Sequence, residues 1–269
     1  MPKINKKYLN PANYYKKAYK FAYNYFLHDA AALELMESQK FEQAGLSVEL
    51  GLLALNKVLQ EKHGRDFDYI NDSIHWLVFA AISISDFKFK RILEIGTFDG
   101  EFTHILAKLF PRVTIVTVDL PEDDPLLRGL YNRENSDSYE SYLKLQSYNI
   151  NEPNIESIKV NSFFLLDKVD DKFDLIWVDG GHLYPEVAWD LCSSFHLCNP
   201  GGLILCDDVI LSPAFYKDKY VSTESSEVLD YIKLRLDCSL MLFLKRRNPD
   251  LYSKPVSRKY VACLRKPIK

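Results

Sequence analysis

The chain has little glycine, no matched set of cysteines, no large excess of either charge and no long apolar run. Its five cysteines include no CxxC pair and no zinc-type Cys/His spacing, which argues against a disulfide framework or a structural metal site. A net charge of −3 gives no global signal for nucleic acid or an anionic membrane. The longest strongly apolar run, Trp76–Ile84, is about half of what a bilayer span requires. Met1–Asn10 is not followed by an apolar segment, so we do not expect a secretory signal. Together these features predict a cytoplasmic protein without membrane or nucleic-acid partners.

The few glycines are concentrated at particular places. The chain has 10 glycines in 269 residues, roughly half the usual frequency of about 7%. Six of them form three pairs, Gly96 with Gly100, Gly180 with Gly181 and Gly201 with Gly202, and each pair lies at one end of a short apolar run. This placement predicts positions where only a bare backbone fits.

The first 85 residues are predicted to be helical. Val48–Lys62 has apolar residues at helical spacing and Gly64 as a stop, and a second helix is expected after Asp72 or Ser73. Residues 12–27, rich in Tyr and Phe, predict a further helix. We expect residues 1–85 to be a helical extension that caps the pocket or forms a homodimer interface, and residues 86–269 to be the main domain.

From Phe87 onward, short apolar strands alternate with helices. The predicted strands are Arg91–Ile95, Val113–Val118, Ser157–Val160, Phe173–Val178, Gly202–Cys206, Ser239–Leu244 and Lys259–Leu264. Helices are expected over Glu101–Phe110 and from Tyr184 to Phe195. This alternation predicts an α/β fold with a doubly wound, mostly parallel seven-stranded sheet, whose last two strands form an antiparallel pair at one edge.

Polar residues follow several of these strands. In such sheets, ligands bind beyond the carboxyl ends of the strands. Glu94–Gly100 (Glu-Ile-Gly-Thr-Phe-Asp-Gly) has the strand–turn–helix context of a dinucleotide fingerprint, but its glycines have GxxxG rather than GxGxxG spacing, since residue 98 is Phe. Asp119 can accept both ribose hydroxyls of an adenosine, and Asn161-Ser162 suits an adenine edge. These strand ends predict a nucleoside site.

Each of these residues also has a structural interpretation. Glu94 can be satisfied by backbone amides, Asp119 can start a turn before a proline, and Asn161 with Ser162 can cap a helix. The conjunction of three such groups at successive strand ends favours the ligand site.

Two further segments carry a family resemblance. Phe173–His182 (Phe-Asp-Leu-Ile-Trp-Val-Asp-Gly-Gly-His) and Leu197–Asp208, taken with Glu94–Gly100 and Asp119, resemble class I S-adenosylmethionine-dependent methyltransferases over roughly residues 88–210. The likeness is to the small-molecule and sugar O-methyltransferase branch. It implies a Rossmann-like methyltransferase fold and S-adenosylmethionine as cofactor. The cofactor residues that it implies are Glu94, Gly96, Thr97, Phe98, Asp99, Gly100, Asp119, Leu120, Asn161, Ser162 and Asp179, although many relatives have Asp at position 161.

The loop after the fourth strand is where this family presents the acceptor to the methyl group. His182, with an ordinary pKa near 6.5, is predicted to remove the acceptor's proton beside Asp179. The alternative is that His182 caps the following helix or binds a backbone carbonyl.

Three carboxylates are predicted to converge at neighbouring strand ends. Asp179, Asp207 and Asp208 would repel one another unless they are protonated or are neutralised by a cation such as Mg²⁺. Metal-dependent O-methyltransferases use a similar set, usually Asp followed downstream by Asp-Asn, and Asp208 departs from that pattern. In the alternative, Asp208 turns outward and Asp207 binds a neighbouring loop.

Three other segments have open interpretations. Leu120–Pro153 is predicted either as a lid over the cofactor and acceptor or as a tyrosine-rich helix that merely covers the sheet. Pro213–Glu227 is a candidate second wall of the cleft, and Lys245-Arg246-Arg247 is predicted to be a solvated turn.

The predicted function is transfer of a methyl group from S-adenosylmethionine to an oxygen of a small polar acceptor, such as a sugar, a glycan precursor or a secondary metabolite. One alternative is a nucleotide-dependent enzyme of another class, which the missing GxGxxG disfavours. Another is a non-catalytic binding module on the same fold. Nucleic-acid methylation is disfavoured because Asp179–His182 stands where many base methyltransferases have Asn/Asp-Pro-Pro-Tyr.

Overall fold

Seven strands form one mixed sheet in the computed structural model, which describes residues 30–129, 136–211, 222–247 and 258–268. The strands are β1 Arg91–Ile95, β2 Thr114–Asp119, β3 Ile155–Lys159, β4 Phe173–Val178, β5 Cys198–Ile210, β6 Ser239–Leu244 and β7 Lys259–Arg265. Their order is β3-β2-β1-β4-β5-β7-β6, with β7 antiparallel to both of its neighbours and the other pairs parallel. The doubly wound sheet predicted from the sequence is confirmed.

Helices cover both faces of the sheet. The helices are α1 Ala30–Gln43, α2 Val48–His63, α3 Ile74–Ser83, α4 Glu101–Leu109, α5 Pro125–Gly129, α6 Ser136–Asn149, α7 Glu186–Leu197 and α8 Glu224–Leu236, with a 3₁₀ helix over Ser162–Asp167. Ser47 caps α2 by accepting a hydrogen bond from the Leu50 amide, and Gly64 ends it in a left-handed conformation. The predicted helix over residues 12–27 lies outside the described residues.

Alternate residues of the inner strands point to opposite faces, and both faces are buried. On β4, Leu175 and Trp177 pack against α2, α3 and α4, whereas Ile176 and Val178 pack on the side of α7 and α8. Burial on both sides explains why these strands are almost continuously apolar. Helices α2 and α3 therefore share one core with the sheet.

The outer strand β6 is protected by α1. The Glu37 carboxylate accepts a hydrogen bond of 2.9 Å from the Leu244 amide, and the Lys40 ammonium donates to the Leu242 carbonyl at 2.8 Å. Side chains of α1 thus occupy backbone groups that an edge strand would otherwise expose.

The predicted length of β5 was wrong. The strand was predicted to end at Cys206 but continues through Asp207 and Asp208 to Ile210, because β7 pairs antiparallel with its second half. The pairing shifts between Cys206 and Val209, so that two residues of β5 face one residue of β7 in a β-bulge.

The helix after β4 also begins later than expected. Helix α7 starts at Glu186, so Tyr184 lies before it and is 46% exposed rather than packed inward. Among the described residues, no helix is long and apolar enough to cross a membrane.

Candidate functional site

The turn after β1 joins three strand ends. Gly96 has φ +100°, and a Cβ there would collide with the Asp179 carbonyl oxygen after β4. The Gly96 amide donates to the Val118 carbonyl of β2 at 2.9 Å, and the Asp179 amide donates to the Ile95 carbonyl at 2.8 Å. Glycine is therefore required at position 96, where the ends of β1, β2 and β4 meet.

The rest of this turn leads into α4. Gly100 is the left-handed N-cap residue, and a Cβ there would lie 2.8 Å from Ile150 Cγ2, so the turn packs tightly against the segment after α6. Asp99 accepts a hydrogen bond from the Glu101 amide at 3.1 Å. Phe98 has φ +50° and is 48% exposed, and its ring centre lies 6.1 Å from that of Tyr142.

Glu94 lies beneath the turn rather than on its surface. Its carboxylate accepts hydrogen bonds from Thr103 at 2.5 Å and Thr117 at 2.6 Å, and Thr97 pairs with Thr117 at 2.6 Å. Burial raises the pKa of Glu94 to about 8, against the two hydroxyl hydrogen bonds that lower it. Threonine hydroxyls, not the backbone amides that the sequence suggested, satisfy this side chain.

Asp119 ends β2 and is already hydrogen-bonded. Its Oδ1 accepts from the Leu120 amide at 2.9 Å, and its Oδ2 accepts from Gln146 at 2.7 Å and, at 3.4 Å, from Tyr142. Burial raises the pKa of Asp119, while the nearby Lys159 charge and these hydrogen bonds lower it. A carboxylate has about four acceptor positions, so at least one remains for a ribose hydroxyl.

Tyr142 and Gln146 are site residues that the sequence analysis did not single out. Both donate to the Phe98 carbonyl, the tyrosine at 2.9 Å, so α6 holds the glycine turn and Asp119 together. Lys159 in turn donates to Gln146 Oε1 at 2.5 Å. The sequence did contain a signal for this pair, because Tyr142 and Gln146 are four residues apart on the predicted tyrosine-rich helix and so lie on the same face. Residues 130–135 of this connection lie outside the described part.

Asn161 acts as a helix cap. Its Oδ1 accepts a hydrogen bond of 3.0 Å from the Phe163 amide at the start of the 3₁₀ helix. The neighbouring Ser162 carbonyl accepts from Trp189 Nε1 at 2.9 Å, and the Ser162 hydroxyl bonds the buried Asp190 carboxylate. The capping alternative is therefore correct for Asn161, whose amide group remains as a candidate contact for adenine.

Asp179 and His182 come together after β4. His182 Nε2 lies 3.5 Å from Asp179 Oδ1, with 28% and 33% of the two side chains exposed. Burial and the charge of Asp207 raise the pKa of Asp179 to about 7. Burial lowers the pKa of His182, but the Asp179 hydrogen bond and the charges of Asp179, Asp208 and Asp207 outweigh it, so the net shift is upward.

The predicted metal site on Asp179, Asp207 and Asp208 is not formed. Lys245 pairs with both Asp207 and Asp208, and Lys259 pairs with Asp208, so lysine charges neutralise these carboxylates. In the part of the chain that the structure describes, no group of three His, Cys, Asp or Glu side chains is placed to hold a metal ion. The residues therefore do not fit the Mg²⁺ that the resemblance implied.

Lys245-Arg246-Arg247 was predicted to be a solvated turn, and this prediction is wrong for Lys245 and Arg247. Only 16% of the Lys245 side chain and 12% of the Arg247 side chain are exposed. The Arg247 guanidinium lies 4.0 Å from the centre of the Tyr69 ring, and its amide donates to the Tyr69 carbonyl. The sequence alone did not reveal these contacts, because the partners of Lys245 and Arg247 are distant in sequence.

Residues 93–209 match the family model described as a methyltransferase domain. The match covers less than half of the chain, from β1 into β5, and shows that this part is similar to methyltransferase domains. No curated protein sequence matches the chain.

Solved structures were also compared with the chain. An O-methyltransferase from Bacillus cereus in complex with SAH is 16% identical, covers 94% of this chain and 99% of its own, and has a TM-score of 0.48. The O-methyltransferase TomG from Streptomyces achromogenes, in complex with SAM, is 16% identical, with coverage of 98% and 99% and a TM-score of 0.47. An rRNA methylase from Streptococcus thermophilus is 14% identical, with coverage of 66% and 87% and a TM-score of 0.43.

Proposed function

We propose that this chain methylates an oxygen of a small polar acceptor, such as a sugar, a glycan precursor or a secondary metabolite. The observation that carries the proposal is the placement of the Asp179–His182 pair beside the glycine turn, since Gly96 packs directly on the Asp179 backbone. A proton acceptor at this place lies next to the carboxyl ends of β1 and β4, where the ligands of such sheets bind.

The cofactor is proposed to lie across the turn after β1 and the end of β2. The backbone of Gly96–Gly100 would receive the methionine part, with Glu94 and Thr97 supporting the turn from below. Asp119 and Leu120 would hold the ribose, and the Asn161 amide and Ser162 would face adenine. Asp119 is suited to this because its carboxylate already lies at the strand end with an acceptor position left over.

His182 is proposed as the general base and Asp179 as the group that orients it. Neutral His182 takes the acceptor's proton through one ring nitrogen while Asp179 faces the other. Because Asp179 faces Nε2, the nitrogen left to take the proton is Nδ1, which is buried and has no hydrogen-bond partner in the described part of the chain.

This assignment predicts how activity depends on pH. Because the pKa of His182 is raised and that of Asp179 is raised to about 7, the pair keeps its shared proton at mildly acid pH. Methyl transfer from labelled S-adenosylmethionine should therefore rise as the pH is raised above about 7, where the pair loses its proton. His182→Gln should lose roughly 10²–10⁴-fold in rate and this pH dependence, with cofactor affinity retained. Unchanged turnover in His182→Gln would exclude it as the base.

The described N-terminal helices are proposed to form a homodimer interface. Large apolar side chains on α1 and α2 are exposed, among them Leu35 at 62%, Leu50 at 52% and Leu53 at 65%. A second copy of the chain is the occupant that we propose for this surface.

A further inference from the structure

We propose that Lys245 is a resident cation that takes the place of a divalent metal at the acceptor end of the site, where it holds Asp207 and Asp208 together. The inference rests on the proposed function in one respect, which is that the term acceptor end assumes that the acceptor binds beside Asp179 and His182. The charge cluster itself is defined by contacts of Lys245, Lys259, Asp207 and Asp208.

The β-bulge brings two consecutive carboxylates to one ammonium group. In a regular strand, neighbouring side chains point to opposite faces, so Asp207 and Asp208 could not share a partner. Here Cys206 pairs with Ala262 and Val209 with Tyr260, and Asp208 has φ +53°. The irregular backbone turns both carboxylates toward the Lys245 side chain, which follows the end of β6.

Lys245 occupies the position that a metal would need. Its Nζ contacts Asp207 Oδ2 and lies 2.6 Å from Asp208 Oδ1, so both carboxylates direct an oxygen at the same point. Lys259 takes the second oxygen of Asp208. Two lysine charges thus balance two carboxylates, and a divalent cation would have to displace the buried ammonium group.

The lysine charge also acts on the neighbouring Asp179. The charged or titratable groups that face Asp207 from the surrounding elements are His75 on α3, His182 after β4, Asp208 on β5 and Lys245 after β6. Asp207 raises the pKa of Asp179, and Lys245 opposes that effect.

The second carboxylate oxygen of Asp207, Oδ1, is buried. Asp207 is 2% exposed, and its Oδ1 has no hydrogen-bond partner within the described residues. If Lys245 is removed, both Asp207 oxygens and one Asp208 oxygen become available to an oxygen-seeking cation.

The test is Mn²⁺ binding, measured by water-proton relaxation on the full chain. Lys245→Met should bind Mn²⁺ at least tenfold more tightly than the wild type. The matched control Lys259→Met, which leaves Lys245 on both carboxylates, should behave like the wild type. Lys245→Met/Asp207→Asn, which removes one carboxylate charge as well, should lose the gain.

Two results would overturn the proposal. One is a folded Lys245→Met protein that binds Mn²⁺ no more tightly than the wild type, and the other is an equal gain in Lys259→Met. Should Lys245→Met not fold, Lys245→Gln, whose amide can still donate to one carboxylate, carries the same measurement. S-adenosylmethionine titrations on the same samples report separately on the proposed function, since no cofactor contact is assigned to Lys245.

Discussion

At the scale of single residues, Glu94 shows how burial changes the chemistry of a carboxyl group. It is 1% exposed, and two threonine hydroxyls bond it from α4 and β2. Its pKa of about 8 means that the folded protein keeps it protonated at neutral pH. A protonated carboxyl group needs no counter-ion, which suits a position surrounded by the core.

The pH dependence of stability tests this assignment. The pKa of Glu94 is raised in the folded state, so its contribution to the free energy of unfolding is full below about pH 4.5 and is lost as pH rises through about 8. Glu94→Gln cannot ionise and should remove that loss, which amounts to at most roughly 5 kcal/mol. Urea unfolding at pH 5 and pH 8 measures the difference.

The matched control is Glu140→Gln on an exposed part of α6, which should leave the pH dependence as in the wild type. A wild-type protein whose unfolding free energy changes with pH just as that of Glu94→Gln would show that Glu94 ionises normally.

At the scale of elements, α6 is the helix that connects the turn after β1 to the end of β2. Tyr142 and Gln146 connect it to the Phe98 carbonyl and to Asp119. The two sequence interpretations of this connection do not describe α6 fully, because its buried tyrosines Tyr139 and Tyr142 form a small apolar cluster with Leu127 and α6 also contacts the predicted cofactor residues Phe98 and Asp119.

Removing one hydroxyl group tests this connection. Tyr142→Phe should lower the free energy of unfolding by about 1 kcal/mol, the usual contribution of one hydrogen bond, and should weaken S-adenosylmethionine binding by loosening the turn. Tyr148→Phe on the same helix, where the side chain is 76% exposed, should change neither quantity. Equal effects of the two substitutions, by denaturant unfolding and calorimetry, would rule out a role for α6 in the cleft.

The elements also show what the sequence could reveal. Apolar periodicity gave β1, β4 and β6 with their observed bounds, because buried strands impose a local pattern. The end of β5 was missed because its second half depends on pairing with β7, which is far away in sequence. Lys245 was misinterpreted for the same reason, since its partners Asp207 and Asp208 come from that bulge.

At the scale of the whole molecule, α1 and α2 are proposed to bind a second copy of the chain. Sedimentation equilibrium should give twice the chain mass of 31.2 kDa if the exposed face of α1 and α2 binds a second copy. Leu50→Lys/Leu53→Lys should give the mass of one chain. Leu145→Lys, at a 47% exposed position of α6, should leave the dimer intact. A wild-type mass of one chain would exclude the proposed interface.

We propose that the cofactor lies at the ends of β1 and β2, with Asp119 on its ribose. Titration calorimetry of the purified chain with S-adenosylmethionine and S-adenosylhomocysteine, alongside NAD, tests it most directly. We predict micromolar binding of the first two and none of NAD, with binding lost in Asp119→Ala and kept in Asp123→Ala, an exposed carboxylate in the next loop. Binding that survives Asp119→Ala unchanged, or binding of NAD instead, would contradict this account.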